Sequence, residues 1–188
     1  CRQASLQEII RRYYDTMDRF IVGSCSQDEV RKIEMLMSQT GITVHDRPVV
    51  DAALERAEAT HGPAAALELP DGHIVTGKTS SLLGASAALL LNALKELAGI
   101  DHDCHVISPS AIEPIQKLKV NYLGSQNPRL HTDEVLIALS ISAATDAQAQ
   151  KALEQLPKLK GCQAHTSVML SAVDINQFKK LSIQATFE

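Results

Sequence analysis

Gly72-His73-Ile74-Val75-Thr76-Gly77-Lys78-Thr79 has the spacing G-x-x-x-x-G-K-T. After a buried strand and ahead of a helix, those letters would wrap backbone N–H groups around a polyphosphate. Three of the four variable residues here are β-branched, which suits a pleated strand better than a tight anion nest. Pro70-Asp71-Gly72 just upstream is a turn: Pro presets φ, Asp bonds its own backbone and Gly permits positive φ. The segment therefore predicts a hairpin, strand 64–69, turn 70–72 and strand 73–77, and nucleotide binding through 72–79 stands as the lesser alternative.

The densest polar stretch is Asn127-Pro128-Arg129-Leu130-His131-Thr132-Asp133-Glu134. It offers a guanidinium for a carboxylate or phosphate, an imidazole for proton transfer, two carboxylates and a helix N-terminus. The plainer reading has Thr132 as cap, Asp133 and Glu134 on the helix dipole, and Arg129 paired with one of them. Lys78, Thr79 and Ser80 sit at a strand end ahead of a helix and add a second place to hold an anionic group. Together Lys78, Thr79, Ser80, Asn127, Arg129, His131, Thr132 and Asp133 form the candidate ligand site, with Lys78–Ser80 on one wall and Arg129, His131 and Asp133 on another. No residue is singled out as catalytic and no cofactor is specified.

His102-Asp103-Cys104-His105 and Cys162-x-x-His165 carry metal-ligand types. On a strand, Cys104 and His105 point to opposite faces, so the quartet cannot close on one ion. A site from His105, Cys162 and His165, or Cys162 as nucleophile with His165 as base, is the weaker alternative to buried Cys and hydrogen-bonded His. No metal is expected.

These groups must be positioned by ordinary globular elements. The 188 residues are 45% hydrophobic and 21% charged, with net charge −4. The absence of a Lys/Arg stripe and an aromatic content of 3% argue against a nucleic-acid surface. The longest apolar run, Ala85 to Leu91, is interrupted by Ser86 and too short to span a bilayer. Four dispersed cysteines (Cys1, Cys25, Cys104, Cys162) and the lack of a signal-peptide pattern predict a reducing, cytoplasmic setting. The chain lacks an initiator Met, which predicts a piece of a longer protein.

Residues 1–62 read as a helical subdomain. Ser5 with Glu8, and Ser26 with Glu29, have capping-box spacing, Gly23 and Gly41 close the first two helices, and Asp46-Arg47-Pro48 opens a third. Residues 63–188 read as an α/β subdomain. After the hairpin, Ser80 or Ser81 caps a helix to Ala98 that is apolar nearly all round, hence buried on more than one face. A strand at 104–108, a helix from Ser108-Pro109 to Leu123, a helix at 134–142, a helix at 147–156, strand 164–170, helix 173–181 and strand 183–187 follow. Strands alternating with helices predict a three-layer α/β sandwich with a mixed, largely parallel sheet. The segment Glu134–Ser142 also alternates as a strand would; its Ala content and acidic first turn favour helix.

The order hairpin, buried helix, strand, helix, strand, helix, strand resembles the zinc cytidine deaminase topology. Those enzymes place H-x-E or C-x-E at the start of the helix after the hairpin and P-C-x-x-C at the next strand-to-helix junction. Here the helix from Ser81 has no His, Cys or acidic residue before Glu96, and the second junction reads Ser108-Pro109-Ser110-Ala111. The resemblance thus implies a cytidine deaminase-like topology without its zinc. A longer likeness lies in Glu68-Leu-Pro-Asp-Gly72, Ile74-Val-Thr-Gly-Lys-Thr-Ser80, Ile112-Glu-Pro-Ile-Gln-Lys-Leu-Lys119, Asn127–Ser140 and Ala152–Cys162. These resemble the C-terminal part of a bacterial family of uncharacterised cytoplasmic proteins, the domain of unknown function 1846. The resemblance implies a missing N-terminal part of the parent and carries no catalytic residues over. The expected function is a site for a small anionic molecule; the alternative is a structural module that builds a homo-oligomer or supports that missing part.

Overall fold

Pro70-Asp71-Gly72 turns the chain as its residue types require. Asp71 Oδ1 accepts from His73 N at 3.0 Å, Gly72 N donates to Leu69 O at 2.9 Å, and Gly72 takes φ +87°. In the computed structural model, which describes residues 2–188, the turn joins β1 (Ala64–Glu68) to β2 (Ile74–Lys78) as an antiparallel hairpin. Cys1 lies outside the described residues. Gly77 faces the helix that follows, α4 (Ala85–Ala98): a Cβ there would stand 2.3 Å from Leu89 N and 2.6 Å from its Cα. Glycine is thus needed for the helix to cross the strand, and that packing accounts for the second glycine of the phosphate-loop spelling.

The sheet order is β2-β1-β3-β4, with β3 (Gln163–Thr166) and β4 (Gln184–Phe187). It is mixed but not largely parallel. β1 runs antiparallel to both neighbours, and only β3 and β4, joined through α8 (Ala172–Lys180), are parallel. The strand expected at 104–108 does not form. An Asp101 turn, with Asp103 N on Asp101 Oδ1 at 2.8 Å and Cys104 N on Asp101 O at 3.0 Å, runs almost directly into Ser108, the N-cap of α5 (Pro109–Lys117). Val106 and Ile107 are buried from this loop and not from a strand.

Helices cover both faces. Against one face, Ala65, Leu67 and Ala164 pack with α4, and beyond it lie α6 (Thr132–Ala143) and α7 (Ala147–Leu153). On the other, Ala66 meets Val49 and Ala53 of α3 (Pro48–Thr60), while Ile10 and Tyr14 of α1 (Arg2–Ile21) pack on Val50. The outer helix α2 (Gln27–Thr40) lies on α1. Ser26 and Glu29 form the expected capping box, whereas α1 starts ahead of Ser5, so Ser5 and Glu8 lie within the helix and not at its cap. The segment 134–142 is helical, within α6, and α5 continues into a π-helical turn, Leu118–Tyr122. Among the described residues no helix is long and apolar enough to cross a membrane.

One buried cation ties α1 and α3 to the sheet. Arg47, fully buried ahead of Pro48, spends all five guanidinium N–H donors. Nε reaches Thr186 Oγ1 at 3.2 Å; Nη1 reaches Gln7 Oε1 at 2.9 Å and Gln163 Oε1; Nη2 reaches Ala164 O at 3.0 Å and Gln184 O at 2.6 Å. Burial pushes its pKa down to about 10, which still leaves it a cation at neutral pH. His165, equally buried beneath Tyr14, commits Nδ1 to Thr186 Oγ1 (2.8 Å) and Nε2 to Glu188 Oε1 (3.0 Å).

Candidate functional site

α4 starts at Ala85 and not at Ser80 or Ser81, because the preceding residues are held elsewhere. Ser80 Oγ accepts from Leu82 N and Leu83 N at 3.2 and 3.0 Å, and Leu83 forms a parallel bridge with Leu130. Leu130 N donates to Leu82 O at 2.9 Å and Gly84 N to Leu130 O at 3.1 Å. Arg129 Nε adds a bond to Ser80 O at 2.7 Å. The two polar segments singled out in the sequence are therefore stitched side by side.

They enclose a cavity of about 250 Å³ together with the start of α8. Thr79, Asn127, Arg129 and His131 line it. Four expected members, Lys78, Ser80, Thr132 and Asp133, do not. Lys78, one residue before Thr79 at the end of β2, lines a different cavity together with Ser80. Thr132 is fully buried behind the wall, and Asp133 turns its Oδ1 to Glu134 N at 2.8 Å. Nor is Thr132 the cap: the N-cap is His131, whose N–H donates to Glu134 Oε2 at 2.8 Å. Arg129 pairs with neither carboxylate. Glu134 is held by buried Lys119, whose Nζ reaches Oε2 at 2.7 Å and also Arg129 O at 2.6 Å.

Asp174, which sequence reasoning missed, organises the cavity's far wall. Its Oδ1 accepts from Thr132 N (3.1 Å) and Thr132 Oγ1 (2.8 Å); its Oδ2 accepts from Ser171 Oγ (2.8 Å) and His131 Nδ1 (3.2 Å). Burial pushes this carboxyl up, but the bonds from Thr132, Ser171 and His131 outweigh it and hold Asp174 below the ordinary carboxylate range. An ionised carboxylate only accepts, so the proton between them resides on His131 Nδ1. In its neutral form a ring so held presents Nε2 as the acceptor. Ser171-x-x-Asp174 has capping-box spacing, the one signal in the sequence that marked this pair.

The near wall is the first turn of α4. Gly84 N is spent on Leu130 O and Ala88 N on Gly84 O, while the N–H groups of Ala85, Ser86 and Ala87 lie ahead of any intrahelical acceptor. All three residues line the cavity. Ser86 is 6% exposed and its hydroxyl has no hydrogen-bond partner among the described residues. Open amides at a positive helix end, the unpaired Ser86 hydroxyl and a guanidinium on the rim suit a small anionic group.

Two alternatives end here. Residues 74–78 are a regular strand paired along its length with β1, so 72–79 cannot fold as a phosphate loop. His102–His105 form a turn and loop, Cys162 is packed in the core with its thiol toward Lys158 O at 3.6 Å, and His165 lies on the opposite face with both ring nitrogens committed. Burial pushes the Cys162 thiol up, the wrong direction for a nucleophile. Among the described residues no three His, Cys, Asp or Glu side chains gather as a metal site.

A family model described as domain of unknown function DUF1846, C-terminal, matches residues 45–188. A UPF0371 protein of Corynebacterium aurimucosum is 55% identical over 186 residues, covering 99% of this chain and 37% of that protein. Another from Corynebacterium urealyticum is 54% identical over 188 residues, and one from Streptococcus thermophilus 52% identical over 187; each match covers all of this chain and 38% of the relative. The chain thus spans little more than a third of the length of these relatives.

Proposed function

We propose, for a chain that belongs to the DUF1846 family and carries its C-terminal domain, that the cavity at the start of α4 binds a small anionic molecule and exchanges a proton with it at His131. The observation that carries this reading is the meeting of two incomplete halves in one cavity. Ala85–Ala87 N–H and the Ser86 hydroxyl need an acceptor, and Nε2 of an imidazole fixed by ionised Asp174 needs a donor. A carboxylate or phosphate supplies the first need and an ionisable C–H, O–H or N–H on the same molecule the second. Thr132 and Ser171 act as positioning residues by holding Asp174, and Lys119 with Glu134 holds the loop that carries His131.

The hairpin, buried α4 and closing β3–α8–β4 unit support a relation to the deaminase-like topology; the turn and loop at 101–107 replace one of its strands. Several relatives are longer than this chain, so residues from the rest of such a protein complete the reaction in this proposal.

The test is residue-resolved NMR of the chain titrated with phosphate, acetate and malonate, with thermal unfolding in parallel. Saturable shifts of the Ala85, Ser86 and Ala87 amides are expected, with apparent stability rising by mass action. Replacing Ser86 by Ala should weaken the response by roughly tenfold, the worth of one charge-assisted hydrogen bond. Amides at 85–87 that stay still with every anion would sink the proposal.

A further inference from the structure

Lys78, expected at the first cavity, opens onto a second one on the far side of the 79–83 loop. It is about 240 Å³ in volume, enclosed by α3, the end of β2, α4 and the 101–107 loop. Arg56, Lys78, Lys95, His102 and His105 line it, and among the described residues no carboxylate does. Asp101 and Asp103 lie on the same loop but outside the lining, and Asp101 Oδ1 is engaged by Asp103 N at 2.8 Å. In a chain of net charge −4, that gathering of bases does not follow from composition.

The cations here are also unanswered. Among the described residues, none of Arg56, Lys78 and Lys95 makes an ion pair. Lys95 is 7% exposed, and the one bond of its ammonium goes to a neutral carbonyl, His102 O at 2.5 Å. Arg56 Nε is a buried donor that meets no acceptor. Elsewhere the chain satisfies its buried cations: Lys119 faces Glu134, and Arg47 spends every donor. Buried N–H groups in native proteins are nearly always matched, so an orphan donor on a residue that lines a cation-rich cavity calls for an acceptor.

We propose that this second cavity is a binding site for a phosphate-bearing anion. A phosphate group has the charge to answer several cations and enough acceptor oxygens for the planar Arg56 fork and the Lys78 and Lys95 point charges together. A single carboxylate reaches fewer of them. Leu91, Val106 and Ile107 supply an apolar wall, so the phosphate belongs either to a short-chain ester or to free phosphate. The bases come from separate elements brought together only by folding. No residue lines both cavities.

The test is calorimetry and residue-resolved NMR of the 188-residue chain with inorganic phosphate, pyrophosphate and glycerol phosphate in ~0.15 M NaCl, close to physiological ionic strength. Saturable shifts at Arg56 Nε–H, Lys78 and residues 104–107 are expected with at least one probe. Arg56→Gln and Lys78→Gln should each weaken that binding about tenfold or more, the worth of a hydrogen bond to a charged group. Lys160→Gln, an exposed cation away from the cavity, should leave it unchanged. Tighter binding of glycerol phosphate assigns an ester, and tighter binding of the inorganic anions assigns free phosphate; either outcome supports the site. No saturable binding, shifts confined to 85–87, or equal losses in all three variants would overturn it.

Discussion

Thr79 and Lys78 are neighbours in the chain, yet they open onto cavities built on opposite principles. On the Thr79 side the carboxylates are answered from within: Asp174 is bonded by Thr132, Ser171 and His131, and Glu134 by Lys119 and the His131 amide. What stays open there, beside the Arg129 guanidinium on the rim, is directional: a hydroxyl, three amides and one ring nitrogen. On the Lys78 side the cations lack counterions among the described residues, and Lys78 itself is exposed. Internal pairing fixes a side chain's position before any ligand arrives, which is what proton transfer needs. Unpaired charge gives attraction without fixed orientation, which is what anion capture needs. The two cavities are therefore read as a site that orients and a site that attracts.

The largest effect is expected where the two share a wall. Gly77 lies under α4, and a side chain there meets Leu89 backbone, which cannot swing aside. Gly77→Val should lower stability by about 3 kcal/mol in urea unfolding, the upper part of the range for overpacking a core. Because α4 lines both cavities, the anion responses of both should vanish together. A variant that loses one and keeps the other would show that the cavities do not depend on the same packing.

Next in size is Asp174→Asn, which keeps the shape and removes the charge that pairs the first cavity. Its amide has one acceptor oxygen for four donors, so a loss of about 2 kcal/mol is expected. The sign with pH follows from the depressed carboxyl. Between the folded and unfolded pKa values the unfolded chain holds the extra proton, so stability rises with pH there. Asp174's contribution is thus fully present above the unfolded value of about 4 and is lost as pH falls through the lower folded value. The variant should lack that part of the acid limb. Parallel acid unfolding curves for both proteins would show that Asp174 is not the paired charge of this comparison.

How much of this was legible in the sequence divides along the same line, local against distant. The hairpin, the Ser26–Glu29 cap and helical 134–142 rest on neighbours within a few residues, and the structure has all three. The adjacency of 79–80 and 127–131 was legible only as a pair of polar segments without a reason to meet; Leu83 and Leu130 supply that reason. The strand expected at 104–108 does not form, because alternation of residue types cannot say whether a segment is brought to a sheet edge. Asp174 lies 43 residues from His131, and Arg47 draws its partners from residues 7, 163, 164, 184 and 186. No window of sequence contains such sets. Lys78 and Thr79 were placed on one wall although strand parity sends consecutive side chains to opposite faces, so the residue order alone already argued for two walls.

The smallest effect carries the sharpest contrast because its sign should be reversed. A residue that pairs a charge stabilises the fold, so removing it destabilises; a cation crowded among cations does the opposite. The Lys78 side chain is exposed, makes no hydrogen bond among the described residues and shares a cavity with Arg56 and Lys95. Lys78→Gln therefore removes repulsion and nothing else, and should raise stability by no more than about 0.5 kcal/mol in the absence of phosphate. Screening fixes a further signature. The gain should be larger at ~10 mM than at ~150 mM salt, where the Debye length shrinks from about 30 Å to about 8 Å. Saturating pyrophosphate should reverse the order of the two proteins, because only the wild type keeps the full set of cations for the ligand to stabilise. A loss of more than about 1 kcal/mol in ligand-free Lys78→Gln, beyond the usual surface range, would mean that Lys78 already has a partner, and the second cavity would then be a paired site like the first.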